Sequence, residues 1–305
     1  MFIVNPFRFA ATGYQPAGAL WLDGSADYLS WTPISGSTNT SITYSFWAKR
    51  AGGFAAYGAV LAGSSGGGKS DYIRFSNNDA FETIGDDGND WSVKTNALHR
   101  DPTAWTNYVV SFNNTSDVRM WVNGTEVTSF ATNTESGTMG GWLRATEQFV
   151  GKNAANQMYN GYLADVICLD GTNVTDASNF GETDSATGIW VPKDPSGISS
   201  FGTNGFWLDF SDGNDIGKDA NATTNSANFM ENIQAASLTS NLQLVLDAGA
   251  SSSFSSGQKW LDLSGNGYDF HLGAGSGASS DDPTFNGSAG GLSRNNYFSF
   301  DGGDV

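Results

Sequence analysis

Short runs in which apolar and polar residues alternate, broken by Gly, Asn, Asp and Ser, recur along this chain. A helical period is nearly absent, so the pattern predicts many short β-strands joined by tight turns. Thr43–Lys49 (TYSFWAK), Asp71–Phe75 (DYIRF) and Trp105–Phe112 (WTNYVVSF) read as strands, and Trp142–Val150 and Gly161–Leu169 continue the series. Val118–Val122 and Thr125–Phe130 flank Asn123-Gly124. That dipeptide supplies positive φ at both central positions of a type I′ turn and predicts a hairpin. The stretches 177–205 and 212–228 are rich in Gly, Pro, Asn and Asp and read as loops. The regular spacing of strands and turns points to an all-β sandwich or jelly roll.

A pattern within this series occurs twice. Leu20–Tyr28 (LWLDGSADY) and Tyr297–Asp304 (YFSFDGGD) are each a short apolar strand running into Asp-Gly. Between them lies a second pair, Phe206–Phe210 (FWLDF) and Leu244–Ala248 (LVLDA). Internal self-similarity of this kind divides the chain. The division is an N-terminal arm at 1–17, a complete β domain at 18–231, a linker or short helix at 232–241, and the start of a second, incomplete β domain at 242–305. The last segment holds only two or three recognisable strands, which is marginal for an independent fold.

Composition narrows the function classes. Asp and Glu (31) far outnumber Lys and Arg (14), for a net charge of −17, which argues against nucleic acid and anionic membranes as partners. No apolar run approaches the length of a membrane-spanning helix. Residues 1–11 (MFIVNPFRFAA) are apolar but short, broken by Pro6 and without a basic start, so they make a poor signal peptide. Cys168 is the only cysteine and sits in the apolar run ADVICL, where it reads as a buried thiol. These features suit assembly in a reducing cytoplasm. The Asn-x-Ser/Thr sequons are then by-products of an Asn- and Thr-rich composition.

As an ordered set, five motifs resemble the laminin-G-like, or concanavalin A-like, jelly roll. They are Leu22-Asp23-Gly24 through Tyr28, Ser45-Phe46-Trp47-Ala48, Trp105-Thr106-Asn107-Tyr108, Met120-Trp121-Val122-Asn123-Gly124 and Gly161-Tyr162-Leu163-Ala164-Asp165-Val166. The block from Phe180-Gly181-Glu182-Thr183 through Phe201–Phe206 to Lys218-Asp219 is similar to lectin-like structural proteins of bacteriophages, especially marine and cyanobacterial ones. That resemblance implies a virion component: a tail fibre, an appendage or a capsid decoration. In the usual laminin-G-like order, a W-x-D-x-S-G-N-G segment precedes the Asp-Gly strand. Trp260–Gly267 does precede Phe300-Asp301-Gly302, whereas in the first domain the equivalent block near 207–221 comes last. A circular permutation of the first domain is therefore expected, which sandwiches tolerate because their termini lie close together.

Several motifs carry candidate chemistry. Gly63–Ser70 (GSSGGGKS) matches a phosphate loop to the letter, but the alternating run that follows reads as a strand, and a phosphate loop needs a helix there. Glucanases on the resembled fold carry a closely spaced carboxylate pair on one strand. Glu82, Glu126, Glu135, Glu147, Glu182 and Glu231 show no such spacing, and His99 and His271 accompany no nucleophile, so the chain is not expected to be an enzyme. Asp86, Asp87, Asn89 and Asp90 form the densest oxygen-ligand cluster, of a kind that suits calcium, with Asp209, Asp212 and Asp215 as a second candidate. Where the pentraxin branch of the superfamily carries a Glu-Gln-Asp set of calcium ligands, this chain has Lys152-Asn153-Ala154, so that calcium site is not expected. For stacking on a sugar ring, the candidate exposed aromatics are Trp91, beside the Asp cluster, and Trp142, whereas Trp47, Trp121 and Trp207 read as core.

The expected function is thus a non-enzymatic phage virion protein, assembled in the host cytoplasm. It would attach to other virion proteins and to copies of itself and contact host-surface glycans, with affinity multiplied by copy number. The alternatives are a bacterial surface or secreted glycan-binding adhesin, and a polysaccharide-degrading enzyme.

Overall fold

The computed structural model describes residues 13–33, 35–38, 40–52, 54–66, 69–85, 91–113, 117–135, 140–213, 215–221, 243–246, 253–273, 277–280, 282–286 and 297–300. The chain divides into two compact units, residues 1–221 and 222–305. The predicted linker at 232–241 and the arm up to residue 12 lie outside the described residues.

In chain order the first unit runs β1 (Leu20–Asp23), β2 (Leu29–Trp31), β3 (Ser41–Arg50), β4 (Gly58–Gly66), β5 (Lys69–Phe75), β6 (Ala80–Ile84), β7 (Ser92–Leu98) and β8 (Thr106–Asn113). It continues with β9 (Val118–Val122), β10 (Thr125–Glu126), β11 (Phe130–Thr134), β12 (Gln148–Val150), β13 (Asn160–Asp170), β14 (Gly181–Thr183), β15 (Trp190–Pro192) and β16 (Phe206–Leu208). Two seven-stranded sheets form a jelly-roll sandwich. One is ordered β1-β13-β3-β8-β9-β10 with β16 also on β13; the other is ordered β11-β7-β6-β5-β4-β12-β2. Alternate residues of β3 (Ile42, Tyr44, Phe46, Ala48) and of β8 (Tyr108, Val110, Phe112) enter the core between the sheets. There they meet Val60, Leu61, Ile73, Phe75, Phe81 and Val93 of the facing sheet. The period of two in the sequence is this inward face.

Where the sequence predicts one strand over Thr125–Phe130, the chain makes two, in different sheets. Asn123 (φ 48°) and Gly124 (φ 73°) make the predicted turn, and β10 returns along β9 only as far as Glu126. The chain then crosses to the second sheet, where β11 pairs with β7. Similarly, only Gln148–Val150 of the predicted strand 142–150 is extended and paired. Trp142 and Leu143 are buried in the core from an irregular segment.

The segment after residue 170 covers the outer face of the first sheet. Val174, Ala177, Phe180 and Phe201 pack on Val109, Trp121, Ile167 and Leu169 of that face. A row of small polar side chains is buried beneath them. Thr43 Oγ1 and Ser111 Oγ share a hydrogen bond of 3.0 Å, Asn107 Nδ2 donates to Ser45 Oγ at 3.2 Å, and Trp190 Nε1 caps Asn107 Oδ1 at 3.2 Å. Gly205 belongs to this cover, and a Cβ there would sit 1.8 Å from the Phe201 carbonyl oxygen, so the approach needs glycine.

β16 and β1 lie end to end on the same edge of β13. Phe206 and Leu208 face Cys168 and Val166, and Leu20 and Leu22 face Leu163 and Gly161, all antiparallel. The C-terminal strand of the unit therefore precedes its N-terminal strand along one line, the order that a permuted domain requires. The two meet at a bulge in β13, where Asp165 (φ 42°) interrupts the register with β3.

In the second unit, β17 (Lys259–Trp260) pairs with β18 (Phe270–His271), and β19 (Thr284–Asn286) pairs with β20 (Tyr297–Ser299). Phe254, Leu272 and Phe298 form a small core with Trp260 and Phe285. The same hydrogen-bonding pattern recurs within each unit. Asp219 Oδ1 accepts the N–H groups of Trp207 (2.8 Å) and Asn221 (2.9 Å), while Ala220 N–H donates to the Trp207 carbonyl. Asp262 Oδ1 accepts those of Val245 (2.9 Å) and Ser264 (2.8 Å), while Leu263 N–H donates to the Val245 carbonyl. Trp207 and Val245 hold the same place in FWLDF and LVLDA, so this part of the repeat extends to the backbone.

Candidate functional site

The aromatics expected to be exposed are core residues, a correction to the sequence reading. Trp91 is 0% and Trp142 2% accessible. Trp91 lies 5.9 Å from the Phe112 ring and donates Nε1–H to Thr83 Oγ1 at 3.4 Å. Trp142 packs between Tyr44 (4.8 Å) and Phe112 (6.1 Å). Each fills the space between the sheets, so neither offers a ring face to a ligand. Trp47 and Trp121 are buried as expected, and Trp207 is partly buried.

Asp86, Asp87, Asn89 and Asp90 lie outside the described residues. Among the described residues, no group of three or more His, Cys, Asp or Glu is placed to hold a metal ion, so Asp209, Asp212 and Asp215 do not form a ligand set. Asp209 Oδ1 instead accepts Ser211 N–H in a local turn. Asn153 of the pentraxin-like position closes its own loop, accepting the N–H groups of Ala155 and Gln157. The phosphate-loop match falls across β4 and β5, which pair antiparallel with Gly63 opposite Asp71. No helix follows it, so the arrangement that phosphate binding needs is missing there.

The outer face of the second sheet carries a closed charge network. Arg74 Nε meets Glu82 Oε1 at 2.6 Å, Lys94 Nζ meets Glu82 Oε2 at 2.9 Å, and Arg74 NH1 donates to Gln157 Oε1 at 2.7 Å. The Arg74 guanidinium also lies 4.0 Å from the Tyr57 ring centroid and 4.6 Å from that of Tyr72. With Glu82 1% and Arg74 8% exposed, this is a structural brace. Glu82→Ala, which leaves two cations without their shared carboxylate, is expected to cost about 3–5 kcal/mol in urea unfolding. A loss below about 1 kcal/mol, the range of an exposed pair, would contradict the bracing role.

A cleft opens on another side of the sandwich, where edge strand β2 of one sheet faces β16 of the other. It encloses about 300 Å³ and is walled by Leu29, Trp31, Pro33, Val150, Phe206 and Leu208. Trp31, half-buried, meets Phe206 edge-on with ring centroids 5.0 Å apart. Polar groups enter from Ser30, Asn204 and Asp219. Asn204 donates both N–H and Nδ2–H to Asp170 Oδ2 (3.1 and 3.0 Å), which leaves its own amide oxygen as an acceptor. Asp219 uses Oδ1 for the two backbone N–H groups, and its Oδ2 has no donor among the described residues. Burial pushes the Asp219 carboxyl up, with Asp209 adding to the rise against the lowering effect of those two N–H groups. The lining is mostly apolar with a few convergent polar groups, the make-up of a small-ligand site.

Local sequence does not reveal this cleft, because its walls come from residues far apart in the chain. One signal was available: Leu29-Ser30-Trp31 alternates beside Pro33, which marks an edge strand with an aromatic at the border of its sheet.

Residues 23–172 match the family described as the concanavalin A-like lectin/glucanases superfamily. No curated protein matches the chain. Among solved structures, a heptameric SAP-like pentraxin from Limulus polyphemus aligns at 11% identity and a TM-score of 0.39, covering 52% of this chain and 77% of its own. Domains LG4-5 of the mouse laminin alpha1 chain align at 12% identity and a TM-score of 0.37, over 48% of this chain and 40% of that one. Domain 4 of a GH43 extracellular arabinanase from Geobacillus stearothermophilus, in complex with arabinotriose, aligns at 15% identity and a TM-score of 0.39, over 52% and 72%.

Proposed function

We propose that the protein, whose residues 23–172 match the concanavalin A-like lectin/glucanases superfamily, is a non-enzymatic, lectin-like component of a bacteriophage virion. It serves as a fibre, appendage or capsid decoration, attached to other virion proteins and to copies of itself, and contacts host-surface glycans through the edge cleft. The cleft carries the glycan part of this reading: a sugar ring has an apolar face for Trp31 and hydroxyl groups for Asn204 and Asp219. The virion part is supported by the block 180–219, which resembles phage proteins and is a built part of the domain, covering one sheet and supplying β16. The net charge of −17 and the lone, buried Cys168 are compatible with it.

Two measurements test the proposal. Cryo-electron microscopy of purified particles should place the protein in the virion; its absence from particles, or its presence on a bacterial envelope, would favour the adhesin alternative. A panel of bacterial polysaccharides incubated with the full chain should show binding without release of new reducing ends. Catalytic release of such ends would replace the lectin reading with an enzymatic one.

A further inference from the structure

The chemistry of the cleft narrows the sugar it can take. Among the described residues, its six large lining side chains are apolar, and no lysine, arginine or histidine lines it. Lys218, between the lining residues Gly217 and Asp219, is not among them. The charged group present is a carboxylate with one oxygen not engaged by the protein among the described residues. An acidic sugar entering here would set its carboxylate, sulfate or phosphate against Asp219 with no counter-charge, an uncompensated cost. A fully hydroxylated ring would leave hydroxyls against Leu29, Pro33 and Leu208 without partners, which is also unfavourable. A neutral ring with one apolar substituent avoids the first penalty and lessens the second, because the apolar group replaces a hydroxyl against that wall. At about 300 Å³ the cleft is at the small end of ligand sites, suited to one residue of a glycan.

Resting on the glycan-binding reading above, we infer that the β2–β16 cleft takes a single neutral sugar ring bearing a methyl group, as in 6-deoxyhexoses and N-acetylhexosamines. The methyl lies in the Leu29–Phe206–Leu208 wall, the ring lies against Trp31, and hydroxyls donate to Asp219 Oδ2 and the Asn204 amide oxygen. Trp31 and Phe206 set the selectivity for the apolar group, and Asp219 sets the exclusion of anions.

Saturation-transfer NMR and titration calorimetry on the full chain test this with L-rhamnose, L-fucose and N-acetylglucosamine. Glucose serves as the ring without a methyl, and glucuronate and N-acetylneuraminate as acidic sugars. The expected result is binding of the three methyl-bearing neutral sugars, with the strongest transfer to their methyl protons, and at least about tenfold weaker binding of glucose and both acids. Trp31→Ala should weaken binding about tenfold or more, while Leu98→Ala, at an exposed position outside the cleft, should leave it unchanged. If Trp31→Ala does not fold, Asp219→Asn provides the second arm. It keeps an acceptor for the two backbone N–H groups and should reduce the discrimination against glucuronate. Equal binding of glucose or of the acids, or full affinity in Trp31→Ala, would overturn this inference and leave the lectin reading standing. No binding by the wild-type chain to these sugars or to the polysaccharide panel would remove both.

Discussion

Cutting the chain after residue 205 is expected to unfold the first unit, whereas cutting it after residue 221 leaves that unit folded. Both truncations remove the whole second unit; they differ by the block that returns to the sheet edge. That block brings Phe206 (8% exposed), Leu208 (7%) and Phe210 (1%) into the main core. At about 1.5–3 kcal/mol for each buried side chain, its loss removes about 5–9 kcal/mol, comparable to the total stability of many domains. It also uncovers the edge of β13 from Val166 to Cys168, an exposed strand that invites aggregation. Urea unfolding followed by tryptophan fluorescence should give a cooperative transition for the longer fragment and none for the shorter. Equal midpoints would mean that β16 is an accessory and that a permuted domain is the wrong description.

Asp165 should make stability fall as the pH rises from about 4 to about 7, and Asp165→Asn should remove the Asp165 part of the profile. Buried His99, whose imidazole burial holds down to about 4, contributes in the opposite direction. Asp165 is 2% exposed. Its Oδ1 accepts Trp207 Nε1–H at 2.8 Å and the Tyr14 hydroxyl at 3.1 Å, and its Oδ2 has no partner among the described residues. Burial pushes its carboxyl up to about 7; the bonds from Trp207 and Tyr14 oppose the rise, and the nearby carboxylates of Asp209 and Asp194 add to it. The folded state thus holds this proton more tightly than the unfolded chain does. The resulting stabilisation is complete below the ordinary carboxylate pKa near 4 and is lost as the pH passes through 7. A rise of about three units corresponds to about 4 kcal/mol. Asparagine retains an acceptor for both donors and tolerates the left-handed backbone of this bulge. The variant should therefore melt above the parent at pH 8, by up to that amount. A parent-like slope between pH 4 and 7 in the variant would show that Asp165 is not the group responsible.

Much of the fold was legible because a β-sandwich repeats its signals locally. The Asn123-Gly124 turn could be read from a single dipeptide, and the inward faces of β3 and β8 from their alternation. The Asp-Gly strand and the W-x-D block were visible as repeats before any pairing was known. Exposure was not legible. Trp91 follows the acidic sequence Asp86–Asp90 and Trp142 follows Gly140-Gly141, contexts that suggest surface, yet both side chains turn inward to fill gaps between sheets. The crossing between β10 and β11 was hidden for a related reason: both sheets accept the same alternating pattern, so local sequence does not say which one a strand joins.

The sequence by itself determined the all-β class, the main turns, the inward residues of the long strands and the presence of a repeated Asp-anchored block. These depend on period-two patterning and backbone preferences, which act within a few residues. Tertiary structure decided which faces are dry and where a ligand can enter. The polar side of β3 and β8 reads as a solvent face, but residues 174–201 cover it and bury Thr43, Ser45, Asn107 and Ser111 in hydrogen bonds. The cleft likewise exists only because β2 and β16, far apart in the chain, end on facing edges of the two sheets. Burial and concavity are properties of what lies opposite a residue, and long-range packing alone sets that.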